Sequence, residues 1–330
     1  MNVPTTVFWE VTNKCNLNCA HCYLGQSQEK MRLSREAALK FTQWLHDGGV
    51  ETVLLMGGEP LLYPYLHDVV KKAGRHGYSQ HVGVLTNGQL LRKHVVDKLA
   101  DSGVSAVQVS IDGLGSEYKK IRGVEFCKVD EGIGHLKERG ILTQAKFTIN
   151  RKNLNAFDDV WRYCLGRGVL LGTSLVLEMG NAQSGLIPMP NEYFSFFVKS
   201  FELKKEREKL KKRTFVLPDF SIEEYLQTGE PYTGCVAGRG ICGITAYGKF
   251  VPCIYLSGLD VVKMFGIEPP AFNEAFLDVF NTHPLFRLFR DEASEQFGCP
   301  IRRRLDGRDR FSVYEFIKWE RRRKAKESGS

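Results

Sequence analysis

Between residues 5 and 180, short apolar runs alternate with longer amphipathic ones, and this alternation constrains the fold more than any other feature. VFWEVT, ETVLLMGG, HVGVLTNG, AVQVSIDG, LTQAKFTIN and LLGTSLVLEMG read as strands, rich in β-branched residues and closed by Gly, Asn or a polar cluster. SREAALKFTQWLHDGG, PYLHDVVKKAGRHG, LRKHVVDKLADSG, FCKVDEGIGHLKERG and LNAFDDVWRYCLGRG read as the helices between them, mostly ended by a glycine suited to a left-handed cap. Strands and helices in strict alternation predict an α/β fold, a partial or closed parallel (β/α)6 barrel with its helices outside. Ligands of such folds gather at the C-terminal ends of the strands.

The chemistry-bearing residues fall at those ends. Cys15, Cys19 and Cys22 follow the first strand, Gly57-Gly58-Glu59-Pro60 the second, Thr86-Asn87-Gly88 the third and Ser110-Ile111-Asp112-Gly113 the fourth. Nine cysteines in a chain with neither a signal peptide pattern nor a run of about 18 apolar residues suggest metal or catalysis rather than a disulfide framework. The expected setting is cytoplasmic, without a membrane. Three closely spaced thiolates can converge on one inorganic centre. Zinc would want a fourth ligand, and His21, lying between two of the cysteines, would reach the same ion only with difficulty. A 4Fe-4S cluster held by three cysteines leaves one iron open for a ligand.

A second set, Cys235, Cys242, Cys253 and Cys299, lies downstream, while Cys127 and Cys164 stand alone in helix-like stretches as small hydrophobes. Four cysteines suffice to ligate a second 4Fe-4S cluster. A zinc ribbon is the alternative, but its two short Cys-x2-Cys pairs are absent.

The spacing Cys15-x3-Cys19-x2-Cys22 together with Gly57-Gly58-Glu59-Pro60 resembles the radical S-adenosylmethionine (SAM) superfamily, over roughly residues 5 to 180. The resemblance implies that Cys15, Cys19 and Cys22 ligate a 4Fe-4S cluster whose fourth iron binds SAM. Gly57, Gly58 and Glu59 would contact the methionine amino group, and His21, an unusual occupant of a position that is normally aromatic, or Tyr23 would lie near adenine. Ser110, Asp112, Arg122, Asn150 and Asn153 occupy places where relatives hold ribose or the methionine carboxylate, and Asn87 is a further cofactor-binding candidate or simply part of a turn. Plainer alternatives are a turn at Asp112, a helix cap at Asn153 and an ion pair with a surface acid at Arg122. Cys235, Gly248 and Cys253 resemble the opening of a SPASM domain, and the missing later cysteines make it look like the shortened twitch form, with an auxiliary 4Fe-4S cluster that accepts an electron from the substrate radical.

The expected layout is a radical SAM core over 1–185, a linker helix region over 186–232, a twitch-like domain over 233–305 and a basic helical tail over 306–330. The reaction implied is reductive cleavage of SAM to a 5'-deoxyadenosyl radical and oxidative modification of a substrate, fed by an electron donor of the flavodoxin or ferredoxin type. Relatives with such an appendage mostly modify peptides or proteins, in peptide natural product or cofactor biosynthesis. A motif that starts at residue 15 leaves no room for an upstream peptide-recognition domain, which weakens that reading. A small-molecule substrate, a sugar or nucleoside, would need a polar grip such as Glu178. A non-catalytic iron-sulfur scaffold is the third reading. The net charge of +8 is concentrated in Lys199 to Arg213 and Arg302 to Glu327 with no nucleic-acid signature beside it, so solvated helix faces are expected there and nucleic acid is not. Those faces could instead hold an acidic leader peptide.

Overall fold

The computed structural model describes all residues except 1, 26–30, 79, 209–214, 217–225, 228–234, 296–298, 307–309 and 329–330. Six strands, β1 (Thr6–Thr12), β2 (Thr52–Gly57), β3 (His81–Thr86), β4 (Ala106–Ser110), β5 (Leu142–Ile149) and β6 (Leu170–Leu175), lie side by side in sequence order, all parallel. Their crossovers are α1 (Arg35–Asp47), α2 (Leu66–Ala73), α3 (Lys93–Asp101), α4 (Gly115–Arg122) with α5 (Cys127–Glu138), and α6 (Phe157–Arg167). All six strands and five helices anticipated from periodicity are present. Helix α4 is an addition: GSEYKKIR buries only Tyr118, Ile121 and Arg122, too short a stripe to show a helical period.

Helix α1 shows why these segments fold as they do. Ser34 caps it by accepting from the Ala37 amide at 3.2 Å, and Ala38, Phe41, Thr42 and Leu45 form the face it buries on the sheet. Along the strands, alternate residues (Val7, Trp9 and Val11; Val53 and Leu55; Val107 and Val109; Ala145, Phe147 and Ile149) are 0–1% exposed beneath the helices. Their neighbours face the concave side of the partial barrel, where the pairing register makes layers. Phe8, Leu54, Gly83 and Ala106 share one layer, Leu85, Gln108 and Gln144 the next, and Ser110, Lys146 and Gly172 the one after, with Thr148 and Ser174 above it on β5 and β6.

The remaining strands extend both edges. β7 (Phe215–Val216) pairs with β6; β8 (Ile241–Ile244) pairs in parallel with β1, and β9 (Phe250–Val251) returns antiparallel to β8 through a turn at Gly248, whose φ of +71° suits glycine. The cysteine-rich segment is therefore built onto the edge of the core sheet. Beyond β9 the chain is helical rather than stranded, through α8 (Val261–Phe265), α9 (Phe276–Thr282), α10 (Pro284–Glu295) and α11 (Pro300–Asp306). Phe250, Phe272, Phe276 and Phe286 join this region to Phe41 and Trp44 of α1.

The helix of the expected 186–232 linker region is α7 (Pro190–Glu208), and residues 209–213 of the basic stretch lie outside the described set. The basic tail forms α12 (Val313–Ser328), which packs Phe316 and Trp319 against Phe194 of α7. Among the described residues no helix is long and apolar enough to cross a membrane.

Candidate functional site

The loop after β1 is held against the end of β2 by contacts that only glycine permits. A Cβ on Gly57, whose φ is +143°, would stand 1.9 Å from the Thr12 carbonyl oxygen, and one on Gly58 would stand 2.4 Å from that of Lys14. The backbone amides of Gly58 and Glu59 instead donate to those same two oxygens, both at 2.8 Å. These two glycines thus set where Cys15 begins.

Glu59 is 0% exposed and works inward. Its carboxylate accepts from the Thr86 hydroxyl (2.7 Å), the Asn87 amide (2.8 Å) and the Leu61 amide (3.1 Å). Burial raises its pKa to about 7 against those bonds. Glu59 thus braces the end of β3. Asn87, which Glu59 positions, donates through Nδ2 to the Asn16 side chain at 2.9 Å and to Cys15 Sγ at 3.9 Å.

Arg122 sits on the other side of the loop. Its Nη1 lies 3.7 Å from Cys19 Sγ, while Nε and Nη2 donate to Asp112 Oδ2 at 2.6 and 2.5 Å. Asp112 is 0% exposed and also accepts from the Thr148 amide at 2.7 Å. It is a buried counter-ion, with no edge left for a ribose. Asn150 and Asn153 are likewise internal. Asn153 Oδ1 accepts from the Asn150 amide at 2.8 Å and its Nδ2 donates to the carbonyls of Asp112 and Thr148; Asn150 Nδ2 donates to the Thr148 carbonyl. Both brace the turn after β5, and Asn153 makes no helix cap. Ser110, half-buried in the concave layer of Lys146, keeps its expected place at the strand end.

His21 has an imidazole pKa drawn down to about 4 by burial, which outweighs Asp112 at 3.5 Å, so at neutral pH it is uncharged and forms no ion pair. Its Nδ1 is buried without a hydrogen-bond partner, an atom a bound group would satisfy. Tyr23 is held at two points. Its hydroxyl donates to Glu10 at 2.7 Å and its ring meets Tyr255 edge-on at 5.0 Å.

Three residues that sequence reasoning missed complete the loop's frame. Glu10, on the concave face of β1, also accepts from Ser257 at 2.6 Å, and burial lifts its pKa to about 7. Asn181 donates its amide to the Cys22 carbonyl (2.8 Å) and its side chain to the Cys19 carbonyl (3.0 Å), while the neighbouring Gly180 leaves no space for a Cβ, 2.3 Å from the Cys22 oxygen. Tyr255 packs on Tyr23 from the other direction. An acid inside an apolar strand was the one visible signal. Glu178, the expected polar grip in this segment, is exposed instead, and its neighbour Met179 is the residue that turns inward.

Burial raises the Cys15 thiol to about 11 and the Cys19 thiol above its ordinary value, and each thiol feels its neighbours in the trio. Such thiols give up their protons to a metal rather than to water. Three sulfurs on one loop, two of them facing N–H donors, with a buried orphan imidazole nitrogen between them, make a donor set that fits an iron-sulfur cluster and its ligand.

Cys235, Cys253 and Cys299 pack together on a smaller hydrophobic cluster with Met179, Leu256, Phe289 and Ile301. Burial lifts the Cys235 thiol to about 12 and the Cys253 thiol higher still, and both feel Cys299. Cys242 is elsewhere. It pairs with Val7 in the β1–β8 register, points with Val7 and Trp9 into the main core, is 1% exposed, and has no thiol among the groups that influence it. Cys242 is thus set apart from the other three cysteines, because period-2 alternation turns it to the helix side of its strand.

Comparison with known proteins accords with this geometry. Residues 9–151 match the family model described as the radical SAM superfamily. The chain is 28% identical over 321 residues to an AdoMet-dependent heme synthase of Methanosarcina barkeri, covering 91% of this chain and 88% of that one. It is 33% identical over 153 residues to an Fe-coproporphyrin III synthase of the same organism, covering 45% of this chain and 38% of that one. Among solved structures, Streptococcus suis SuiB bound to its precursor peptide SuiA superposes with a TM-score of 0.73 at 18% identity, over 87% of this chain and 66% of that one. The family uses a 4Fe-4S cluster and SAM, and the loop of Cys15, Cys19 and Cys22 lies inside the matched span. Residues 9–151 thus carry a radical SAM domain, and the curated relatives of the chain are enzymes, named as synthases.

Proposed function

We propose that this radical SAM enzyme modifies a carboxylate-bearing tetrapyrrole in the biosynthesis of a heme-type cofactor. The observation that carries this reading is the near end-to-end similarity to the M. barkeri heme synthase, which extends beyond the SAM-binding half through the second cysteine set. The cluster and SAM supply a 5'-deoxyadenosyl radical able to take hydrogen from an unactivated carbon.

The chain's own residues hold and shield that chemistry. Cys15, Cys19 and Cys22 are the ligands of the first cluster. Arg122 and Asn87 bring N–H donors to two of its sulfurs, which favours the reduced cluster by stabilising negative charge. Gly57 and Gly58 keep the loop seated, while Asn181 and the Glu10–Tyr23 bond close it from the β6 and β1 sides. Cys235, Cys253 and Cys299 are the cysteine ligands of an auxiliary cluster. Tyr255, which feels Cys253 and Cys299, abuts the Tyr23 ring, so a cluster held by these cysteines would suit an electron acceptor for the substrate radical.

The layout with a core to 185, a linker, a cysteine-rich unit and a basic tail is retained as part of this reading, as is a donor of the flavodoxin or ferredoxin type. Peptide modification is the second reading, supported by fold likeness to SuiB. The sugar reading loses its anchor with Glu178 exposed. The test supplies SAM, dithionite and either Fe-coproporphyrin III or a peptide library to the reconstituted enzyme in deuterium-labelled form. Deuterium appearing in 5'-deoxyadenosine only from the tetrapyrrole is expected; transfer only from peptide would overturn the reading.

A further inference from the structure

The cluster loop does not use Lys146. It lies on β5 in the concave layer just below that of Thr148 and Ser174, between Ser110 of β4 and Gly172 of β6 in register. Its chain neighbours Ala145 and Phe147 are 0% exposed on the helix side, which assigns the lysine to the barrel interior. Among the described residues on the concave face of β1–β6, it is the only lysine or arginine.

Its ammonium is incompletely served there. Nζ donates to the Thr173 carbonyl at 2.9 Å and makes no ion pair among the described residues. The nearest acid whose charge it feels, Asp112, is already committed to Arg122 and the Thr148 amide. Glu10, on the opposite wall, is committed to Tyr23 and Ser257. Burial pulls the lysine pKa down to about 8, so the cation persists at neutral pH at a cost in desolvation. The layer below it holds Leu85 with Gln108 and Gln144, whose amides bond each other at 3.1 Å, and beneath these lie Phe8 and Leu54, with Leu54 filling the space over Gly83. A wall of apolar groups and a self-paired amide couple, with one under-used ammonium above it, matches a ligand with a large apolar body and a carboxylate.

We propose that Lys146 is the substrate-binding residue that grips a carboxylate of the substrate inside the barrel and so sets the enzyme's preference for carboxylate-bearing apolar substrates. The inference deepens the tetrapyrrole reading and rests on it only for what bears the carboxylate.

The test uses reconstituted holoenzyme and equilibrium dialysis with three probes: 1-pyrenebutyrate, its primary amide and Fe-coproporphyrin III. Wild type is expected to bind the pyrene acid at least about tenfold more tightly than the amide, Lys146→Met to abolish that preference, and Lys146→Arg to restore most of it, with iron content and melting temperature unchanged. Equal binding of acid and amide by wild type, or a preference that survives Lys146→Met, overturns the proposal. A preference for the pyrene acid without any binding of Fe-coproporphyrin III would overturn the tetrapyrrole reading and leave the lysine's role standing. If both variants lose iron or melt early, the lysine is a structural residue and the proposal fails.

Discussion

Replacing Gly57 by Ala tests whether the glycines act as the mould for the cysteine loop. A Cβ there would stand 1.9 Å from the Thr12 oxygen, and real Cβ atoms keep at least 3.0 Å, so the end of β2 and the chain leading to Cys15 must separate by about 1.1 Å. The residue must also hold a φ of +143°, a region that costs a non-glycine about 1–3 kcal/mol. Overpacking adds a comparable amount, and a sum of about 3 kcal/mol is a fair working value. At about 2.1 cal/mol/K per residue, unfolding 330 residues carries an entropy of about 0.7 kcal/mol/K, so the melting temperature should fall by about 4 °C. The same displacement moves Cys15 off its place, so iron and sulfide content after anaerobic reconstitution should fall with it. Gly185→Ala is the control, since its Cβ meets nothing within 4 Å. A Gly57→Ala protein that melts within 1 °C of wild type and fills its first cluster would refute the mould argument.

Other perturbations separate the remaining roles. Cys242→Ala should keep the iron of the second centre and lose only core packing, about 1–2 kcal/mol, whereas Cys253→Ala should lose about four irons; equal iron loss in both would restore Cys242 as a ligand. Arg122→Leu leaves Asp112 buried without its partner and should cost about 3–5 kcal/mol, more than the paired change Arg122→Leu with Asp112→Asn, in a denaturant titration. Glu10 and Glu59 have carboxyl groups raised to about 7, so the native state binds the extra protons. Their contribution is present below about pH 4.5 and lost as pH rises through 7. Stability should therefore fall between pH 5 and 8, and Glu10→Gln should flatten part of that slope in melts across the range.

The strands and most helices could be read from the sequence because each buries a face with the period of its own geometry. The three-cysteine loop and the glycine pair could be read because spacing alone placed them at neighbouring strand ends. What escaped depends on which way a side chain turns. Cys242 sits in the run ICGI at a spacing that suits a ligand, yet strand parity sends it into the core with Val7. Asp112, Asn150 and Asn153 are polar residues at ligand-binding strand ends, but their hydrogen bonds close on each other and on Arg122. Asn181 and Tyr255 come to the cysteine loop from segments more than 150 residues away in the chain, which no local pattern records. Lys146 in LTQAKFTIN reads as an ordinary polar position of an alternating strand, and only the register reveals that its side faces the barrel.

The most direct measurement of the central claim is 5'-deoxyadenosine formed by anaerobically reconstituted enzyme given SAM and dithionite, with iron counted in the same sample. The account predicts 5'-deoxyadenosine from wild type with about eight irons per chain, and none from Cys19→Ala, which keeps about four. Wild type that holds both clusters yet forms no 5'-deoxyadenosine, or Cys19→Ala that still forms it, would contradict the assignment of Cys15, Cys19 and Cys22 as the site of SAM cleavage.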